Sequence, residues 1–330
     1  MASPLEHPKV RRRLRRIVRW AAIVLAVVLA VSVAAELDWS ELRQRLAGAR
    51  GLPVAAATLF LIARFLIWTW RWHLGVRAAG VDAPFAPLFP MILGAAAVNH
   101  LTPAAKLLGG LLRARYLGQR ADLSTARAYG TVLFDQLAHQ GAVISLTTLA
   151  VIGTVYGTGR PKLAFGLALL ALLMALGLGL AAPRLGDRLA DWTSRRQDRW
   201  RRWIDKGRET VTTVRALADQ RRLVVAALLL GLLYAATNAA AQWLFFVAVG
   251  PAPSYFTAFA AVALGTAAGA LLGTPGGVGT TEAAIIGTYV ALGVDANDAA
   301  AAALLYRGLH YLVVFCLGGA SLAWLERRLA

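Results

Sequence analysis

Residues 274–282 read Thr-Pro-Gly-Gly-Val-Gly-Thr-Thr-Glu, a helix-breaking run set in an otherwise charge-free stretch. Proline removes a backbone donor, and the glycines admit dihedral angles closed to other residues. The same punctuation occurs once before. Thr102-Pro103 precedes Thr274-Pro275 by 172 positions; at that offset Ala95-Ala96 returns as Ala267-Ala268, and Leu133-Phe134-Asp135 as Leu305-Tyr306-Arg307. Upstream, Trp72, Val76, Gly80 and Ala83-Pro84 return as Trp243, Val247, Gly250 and Ala252-Pro253, with slips of one to three residues. A duplicated apolar unit, broken by Gly and Pro at corresponding places, is the sequence pattern of a membrane transporter with its site between the repeats.

Composition supports a membrane location. Residues 223–281 contain no Asp, Glu, Lys or Arg, a run far longer than the ~20 apolar residues that cross a bilayer. Further candidate spans are 20–35, 53–74, 128–152, 163–182 and 308–325. The single cysteine, Cys316, excludes an intramolecular disulfide and a Cys-rich metal site. The net charge of +18 is not the signature of a nucleic-acid binder. Basic residues crowd the first 19 positions and the segment 183–222, both flanking apolar spans, as the positive-inside rule requires. The segment 183–222 mixes twelve basic with six acidic residues, which suits amphipathic helices at the lipid surface as well as a solvated linker. Span 20–35 reads as a retained anchor, because Glu36-Leu37-Asp38-Trp39 follows it where a small-residue cleavage site would stand.

With the N-terminus in the cytoplasm, every heavily basic loop falls on one side. Span 53–74 then runs inward and its counterpart 223–249 outward, so the second unit is upside down relative to the first. The expected fold is an all-α polytopic membrane protein with both termini inside. It has six full spans plus two broken helix pairs, 85–101 with 104–117 and 256–273 with 280–292, arranged as an inverted-topology repeat. The chain divides into a basic start (1–19), an anchor span and outer loop (20–52), unit one (53–152), a connecting span (153–182), an amphipathic segment (183–222) and unit two (223–330).

Charges inside such spans are costly and mark function or structural pairing. Glu282 is the only charge between residues 223 and 294. It either complements the dipole of the helix it begins or meets a substrate. Thr280 or Thr281 would cap that helix. Lys106 and Arg113 share one face of the helix after the first break; they meet a phosphate or snorkel to the inner surface. Asp135 and Arg307 each stand 32 residues after the break proline; their opposite charges at equivalent sites suggest a buried pair across the repeat axis. His139 lies one turn from Asp135, and His310 beside Arg307. Arg64 would pair with Glu282 or Asp135, while Asn238 and Gln242 bond between helices or meet substrate. Trp68, Trp70 and Trp72 would mark the cytoplasmic interface. Candidate headgroup contacts are thus Glu282, Arg307, Asp135, Arg113, Lys106, His139, Arg64 and His310. The breaks that would line a cavity are Asn99, Thr102, Pro103, Thr274, Pro275, Gly276, Gly277, Gly279, Thr280 and Thr281. No metal, cofactor or catalytic motif is expected; Asp135 with His139 is the one acid–base pair, and no nucleophile stands beside it in sequence.

Asn99, Thr102-Pro103, Gly109 and Arg113, then Pro275-Gly276-Gly277-Val278-Gly279-Thr280-Thr281-Glu282 and a late Arg307, resemble the flippase-like transmembrane domain of lysylphosphatidylglycerol synthase over about residues 15 to 328. The resemblance implies a polytopic lipid translocase. Where that family usually has Gly-Glu before the arginine, this chain has Gly109-Gly110, at the position equivalent to Glu282. An aminoacyltransferase domain after the last span is not expected, and lipid synthesis is not implied. The expected function is movement of a phospholipid or lipid-linked headgroup across the cytoplasmic membrane, of bacterial inner-membrane type, with membrane lipids as partners and no nucleic acid. The alternatives are a membrane enzyme or accessory subunit acting on a polyprenyl-phosphate lipid, and a scaffold for a partner glycosyltransferase. Sequence does not specify the oligomeric state.

Overall fold

The computed structural model describes residues 37–101, 107–158, 201–272 and 279–329, and among them every regular element is helical. The expected spans 20–35 and 163–182 lie outside the described residues, as do Thr102, Pro103, Lys106, Thr274, Pro275, Gly276 and Gly277. The helices are α1 (Trp39–Ala47), α2 (Gly51–Ala78), α3 (Phe85–Leu101), α4 (Leu107–Ala121), α5 (Thr125–Thr158), α6 (Arg201–Ala218), α7 (Arg221–Val249), α8 (Tyr255–Leu272), α9 (Thr280–Ala291) and α10 (Ala296–Leu329). Gly51–Ala78, Arg221–Val249 and Ala296–Arg328 are each long and apolar enough to cross a membrane. The broken pairs form as expected, α3 with α4 and α8 with α9. Gly279, at φ 79°, is the N-cap residue of α9, which has no side-chain cap. The N-cap position therefore falls on Gly279 and not on Thr280 or Thr281, a correction to the expectation. A positive φ is open to glycine at no steric cost, so the turn rather than a hydroxyl starts the helix.

Helices α2 and α7 form the central pair and run antiparallel. The amide of Arg50, at the start of α2, donates to the carbonyl of Ala248 near the end of α7 at 3.0 Å. At the other end the Gln220 amide group, just before α7, donates to the carbonyl of Ala78. The two units interlock around this pair. Helix α3 packs along α10, and α8 along α5, so each broken pair leans on the long final helix of the other unit. The hairpins entering the two pairs also match: His73 meets the carbonyl of Ala83 at 3.1 Å, and the Trp243 indole donates to the carbonyl of Pro253 at 3.0 Å. Two apolar cores result, and each borrows from the other unit. One joins Trp72, Leu88, Met91 and Leu117 with Val313, Val314 and Leu325 of α10. The other joins Phe245, Phe246, Ile285 and Tyr289 with Ala57 and Leu61 of α2.

Close approach of α3 and α10 depends on Gly318. A Cβ there would come within 2.6 Å of the Leu93 carbonyl oxygen and 2.8 Å of the Ala97 Cβ, whereas the neighbouring Gly319 meets nothing within 4 Å. Gly318→Ala should therefore lower stability by about 1–3 kcal/mol through forced backbone separation. Gly319→Ala should be neutral or slightly stabilising, because alanine is the better helix former. Thermal unfolding of the two variants in the same micelles checks the contrast.

The expected amphipathic segment supplies α6, which covers the end of the bundle where α5 begins. Thr210 donates to the carbonyl of Ala126, Ser124 donates to Glu209, and Leu217 is buried. At the opposite end α1 begins at Asp38, whose carboxylate accepts from the amides of Ser40 and Glu41. The Ser40 hydroxyl and those amides hold that carboxyl below its usual range. Arg45 of α1 pairs with Glu41 and with Asp298, at the start of α10.

Candidate functional site

Three polar clusters occupy the interior, strung along α2, α5 and α10. In the first, Asp135 of α5 is enclosed. Arg71 Nε donates to its Oδ1 at 2.7 Å; Arg113 Nη1 and the Trp68 indole each donate to Oδ2 at 2.9 Å. Both arginines and the aspartate are about 98% buried. The Arg113 guanidinium also stacks over the rings of Trp68 and Trp72, at 5.3 and 4.9 Å. The second cluster centres on Arg64 of α2, which donates through Nη1 to Asn238 of α7 and, at 3.1 Å, to the Tyr306 hydroxyl. Its Nη2 meets Nδ1 of His310, whose Nε2 lies 3.0 Å from Nε2 of His100. In the third, Arg307 Nε donates to Glu282 Oε1 at 2.5 Å, and Nη2 donates to the Tyr311 hydroxyl at 2.8 Å. The other carboxylate oxygen of Glu282 is buried and accepts no hydrogen bond among the described residues.

Aromatic rings join the clusters. His100 packs edge-on to Tyr311 at 5.5 Å, linking the second cluster to the third. Phe65 stacks on both His310 and Trp68, linking the second to the first. Asn99, at the end of α3, accepts from the Gly109 amide at 3.0 Å and straps α3 to α4 across the first break.

Several expectations are corrected. Asp135 and Arg307 do not pair with each other; Asp135 pairs with Arg71 of α2 and Arg113 of α4, and Arg307 with Glu282 of α9. Arg64 meets neither Glu282 nor Asp135, because Asn238, Tyr306 and His310 surround its guanidinium. Arg113 does not snorkel, since Asp135 and two indole faces hold it at 1% exposure. Trp68 and Trp72 are not an interface belt: Trp68 binds Asp135, Trp72 is fully buried with its indole donating to Thr131, and Trp70 alone of the three is exposed. His139 sits edge-on against Tyr234 of α7 at 5.4 Å. Asn238 does bond between helices, to Arg64 and Tyr306. Arg71, Trp68, Tyr306 and His100 are the residues that sequence reasoning missed. Their signal was present in part: Arg64, Trp68 and Arg71 stand at i, i+4 and i+7, on one face of a helix.

The two units use transposed charges. In unit one the acid is on the long helix α5 and the base on α4; in unit two the base is on α10 and the acid on α9. Gly110, equivalent to Glu282, faces Gln136, whose amide nitrogen lies 3.1 Å from where a Cβ would stand.

The sequence profile of the lysylphosphatidylglycerol synthase transmembrane region matches residues 19–318. The chain belongs to that family. It is similar to a UPF0104 membrane protein of Methanothermobacter thermautotrophicus, 26% identical over 317 residues that cover 92% of this chain and 94% of the relative. It is also similar to the UPF0104 membrane protein MJ1595 of Methanocaldococcus jannaschii, 23% identical over 289 residues, 84% and 85% of the two chains. All three polar clusters lie within the matched residues, in a family of multi-pass membrane domains.

Proposed function

We propose that this protein is a lipid translocase that moves a phosphate-bearing headgroup across the cytoplasmic membrane, bacterial by the style of its composition, through a polar path between two inverted units. The observation that carries the reading is the Glu282–Arg307 pair, largely buried in the helix bundle yet holding one buried carboxylate oxygen without a hydrogen-bond donor among the described residues. A buried, unsatisfied carboxylate oxygen is costly. It is retained where a ligand group supplies the missing donor, and an ammonium or hydroxyl of a lipid headgroup has that chemistry. Charge balance supports a phosphate on the same headgroup: Arg64, Arg71, Arg113 and Arg307 are buried against only Asp135 and Glu282 among the described residues of these clusters. Arg64 Nε, Arg71 Nη1 and Arg113 Nε donate to no acceptor among the described residues.

The antiparallel α2–α7 pair and the reciprocal packing of α3 on α10 and α8 on α5 support an inverted repeat; six full spans with N-in, C-in termini belong to the proposal on the hydropathy and the placement of basic loops. Rocking of one unit on the other would then expose the site alternately to the two faces. Catalysis on a polyprenyl-phosphate lipid would need Asp135 to exchange protons with His139. Two guanidiniums and an indole instead occupy both oxygens of Asp135, and His139 faces Tyr234, so a non-enzymatic role is the better reading.

Reconstitution tests the proposal. Purified protein in liposomes should speed the exposure of fluorescent phospholipids to an impermeant quencher by at least ~10-fold, the scale of about 1.4 kcal/mol of barrier. Phosphate-bearing headgroups should outrun an uncharged glycolipid. Equal rates in protein-free and protein-containing liposomes for anionic, zwitterionic and polyprenyl-phosphate lipids would sink it.

A further inference from the structure

We infer that His100 and His310 form a proton-binding site which joins the two units only while both rings are neutral, so that protonation couples to lipid movement. The proton site stands on geometry alone; the coupling to lipid rests on the translocase reading.

Arg64 determines the tautomers. A guanidinium nitrogen donates and never accepts, so His310 Nδ1, facing Arg64 Nη2, is an acceptor. A neutral imidazole carries one hydrogen, and in His310 it is therefore on Nε2. That hydrogen points at His100 Nε2, 3.0 Å away, which accepts it. His100 in turn carries its own hydrogen on Nδ1. Both nitrogens of His310 and the facing nitrogen of His100 are thus assigned. A proton added to His310 goes to Nδ1 and meets the N–H of Arg64. One added to His100 goes to Nε2 and meets the N–H of His310. In either case two N–H groups point at each other, and the contact opens.

The placement makes that opening consequential. His100 stands one residue before the end of α3, beside the first break, and is half-buried; His310 is 5% exposed on α10. Helix α3 belongs to unit one and α10 to unit two. Water reaching His100 would deliver the proton, and its arrival would release the end of one unit from the middle of the other. The charged and titratable groups around the pair are Arg64 from α2, and Tyr306, Arg307 and Tyr311 from α10, with Glu282 of α9 bound to Arg307. Asn238 of α7 is the uncharged neighbour. Among the described residues the charges there are two guanidiniums against one carboxylate, an excess that a proton would add to. An anionic phosphate lodged among them offsets that excess and favours protonation. By linkage the proton then favours the phosphate equally, so lipid and proton bind together and travel together.

The chain has five histidines, His7, His73, His100, His139 and His310, few enough for direct observation. Protein labelled with [15N]histidine in nanodiscs is examined by NMR, with His100→Gln and His310→Gln assigning the signals. At about pH 8 His310 should show an unprotonated Nδ1 and His100 an unprotonated Nε2. Towards about pH 5 both rings should change in one cooperative step, with loss of the coupling between the two Nε2 atoms. Independent titration, or a ring contact that survives at the acid end, overturns the proton site. In proteoliposomes an imposed pH gradient should change wild-type translocation by ~5- to 150-fold, the usual span of coupling. His100→Gln still accepts from His310 but does not titrate, and should lose that response. Translocation that ignores the gradient in wild-type protein overturns the coupling. Cooperative titration in a protein that moves no lipid overturns the translocase reading while leaving the proton site standing.

Discussion

Glu282→Gln is expected to slow lipid translocation by about 10- to 150-fold, with membrane insertion unchanged. The amide keeps the shape of the carboxylate but removes its charge, and hydrogen bonds to charged groups contribute about 1.5–3 kcal/mol. Arg307 would remain beside Tyr311, held at 2.8 Å, but without its counter-charge. Arg307→Ala should lose at least as much, because it leaves both oxygens of Glu282 unpaired in a buried setting. The charge-swapped double variant Glu282→Arg with Arg307→Glu separates function from architecture. It gives unit two the arrangement that unit one already has, with the acid on the long helix and the base on the second half of the broken pair. If the pair orients a headgroup, the swap restores thermal stability and not translocation. Full recovery of both in the swapped protein would mean that the pair only holds α9 to α10, and the site would have to lie elsewhere. Flux in reconstituted liposomes and unfolding in micelles supply the two readouts.

Asp135→Asn should be the most destabilising single change among the polar clusters, at about 3–5 kcal/mol. The carboxylate neutralises two guanidiniums that are themselves almost fully buried, with N–O distances of 2.7 and 2.9 Å. Removing one partner of a buried ion pair leaves the other charge uncompensated, which costs more than the pair itself contributes. The asparagine presents one acceptor where two are needed and a donor where Arg71 or Arg113 already donates. Replacing all three charges together, as Asp135→Leu with Arg71→Met and Arg113→Leu, should recover most of the stability, because a well-packed apolar trio carries no desolvation penalty. Chemical unfolding in micelles measures both. Wild-type stability in Asp135→Asn would show that the three side chains are not electrostatically linked in the folded protein. The triple variant should also lose translocation if Arg71 and Arg113 receive the phosphate, which a purely structural cluster would not require.

Much of the fold was legible because the solvent imposes it. Helices α3, α8 and α9 begin or end within one residue of the breaks and turns read from the sequence, and α4 runs on past residue 117 to Ala121. Long spans followed from residues that lipid accepts, and the repeat followed from matched breaks. The polar interior was only half legible. Glu282 and Arg307 were singled out, yet their union was not foreseen, because sequence spacing does not say whether a charge finds its partner in its own unit or across the axis. Arg71 carried no signal of its own, because it stands near the end of its expected span, 53–74. In the bundle, α2 extends four residues beyond the expected span, to Ala78, and Arg71 falls within the protein beside Asp135.

Hydropathy and charge placement determined by themselves that this is a helical membrane protein, and the recurrence of Thr-Pro breaks marked where its two short helix pairs stand, since each is a local property that water and lipid sort directly. Which buried charges meet was decided by the tertiary structure alone. An isolated guanidinium inside lipid is so unfavourable that it takes whatever acceptor the packing brings within 3 Å. Those acceptors came from helices up to 246 residues away in sequence, as His310 of α10 did for Arg64.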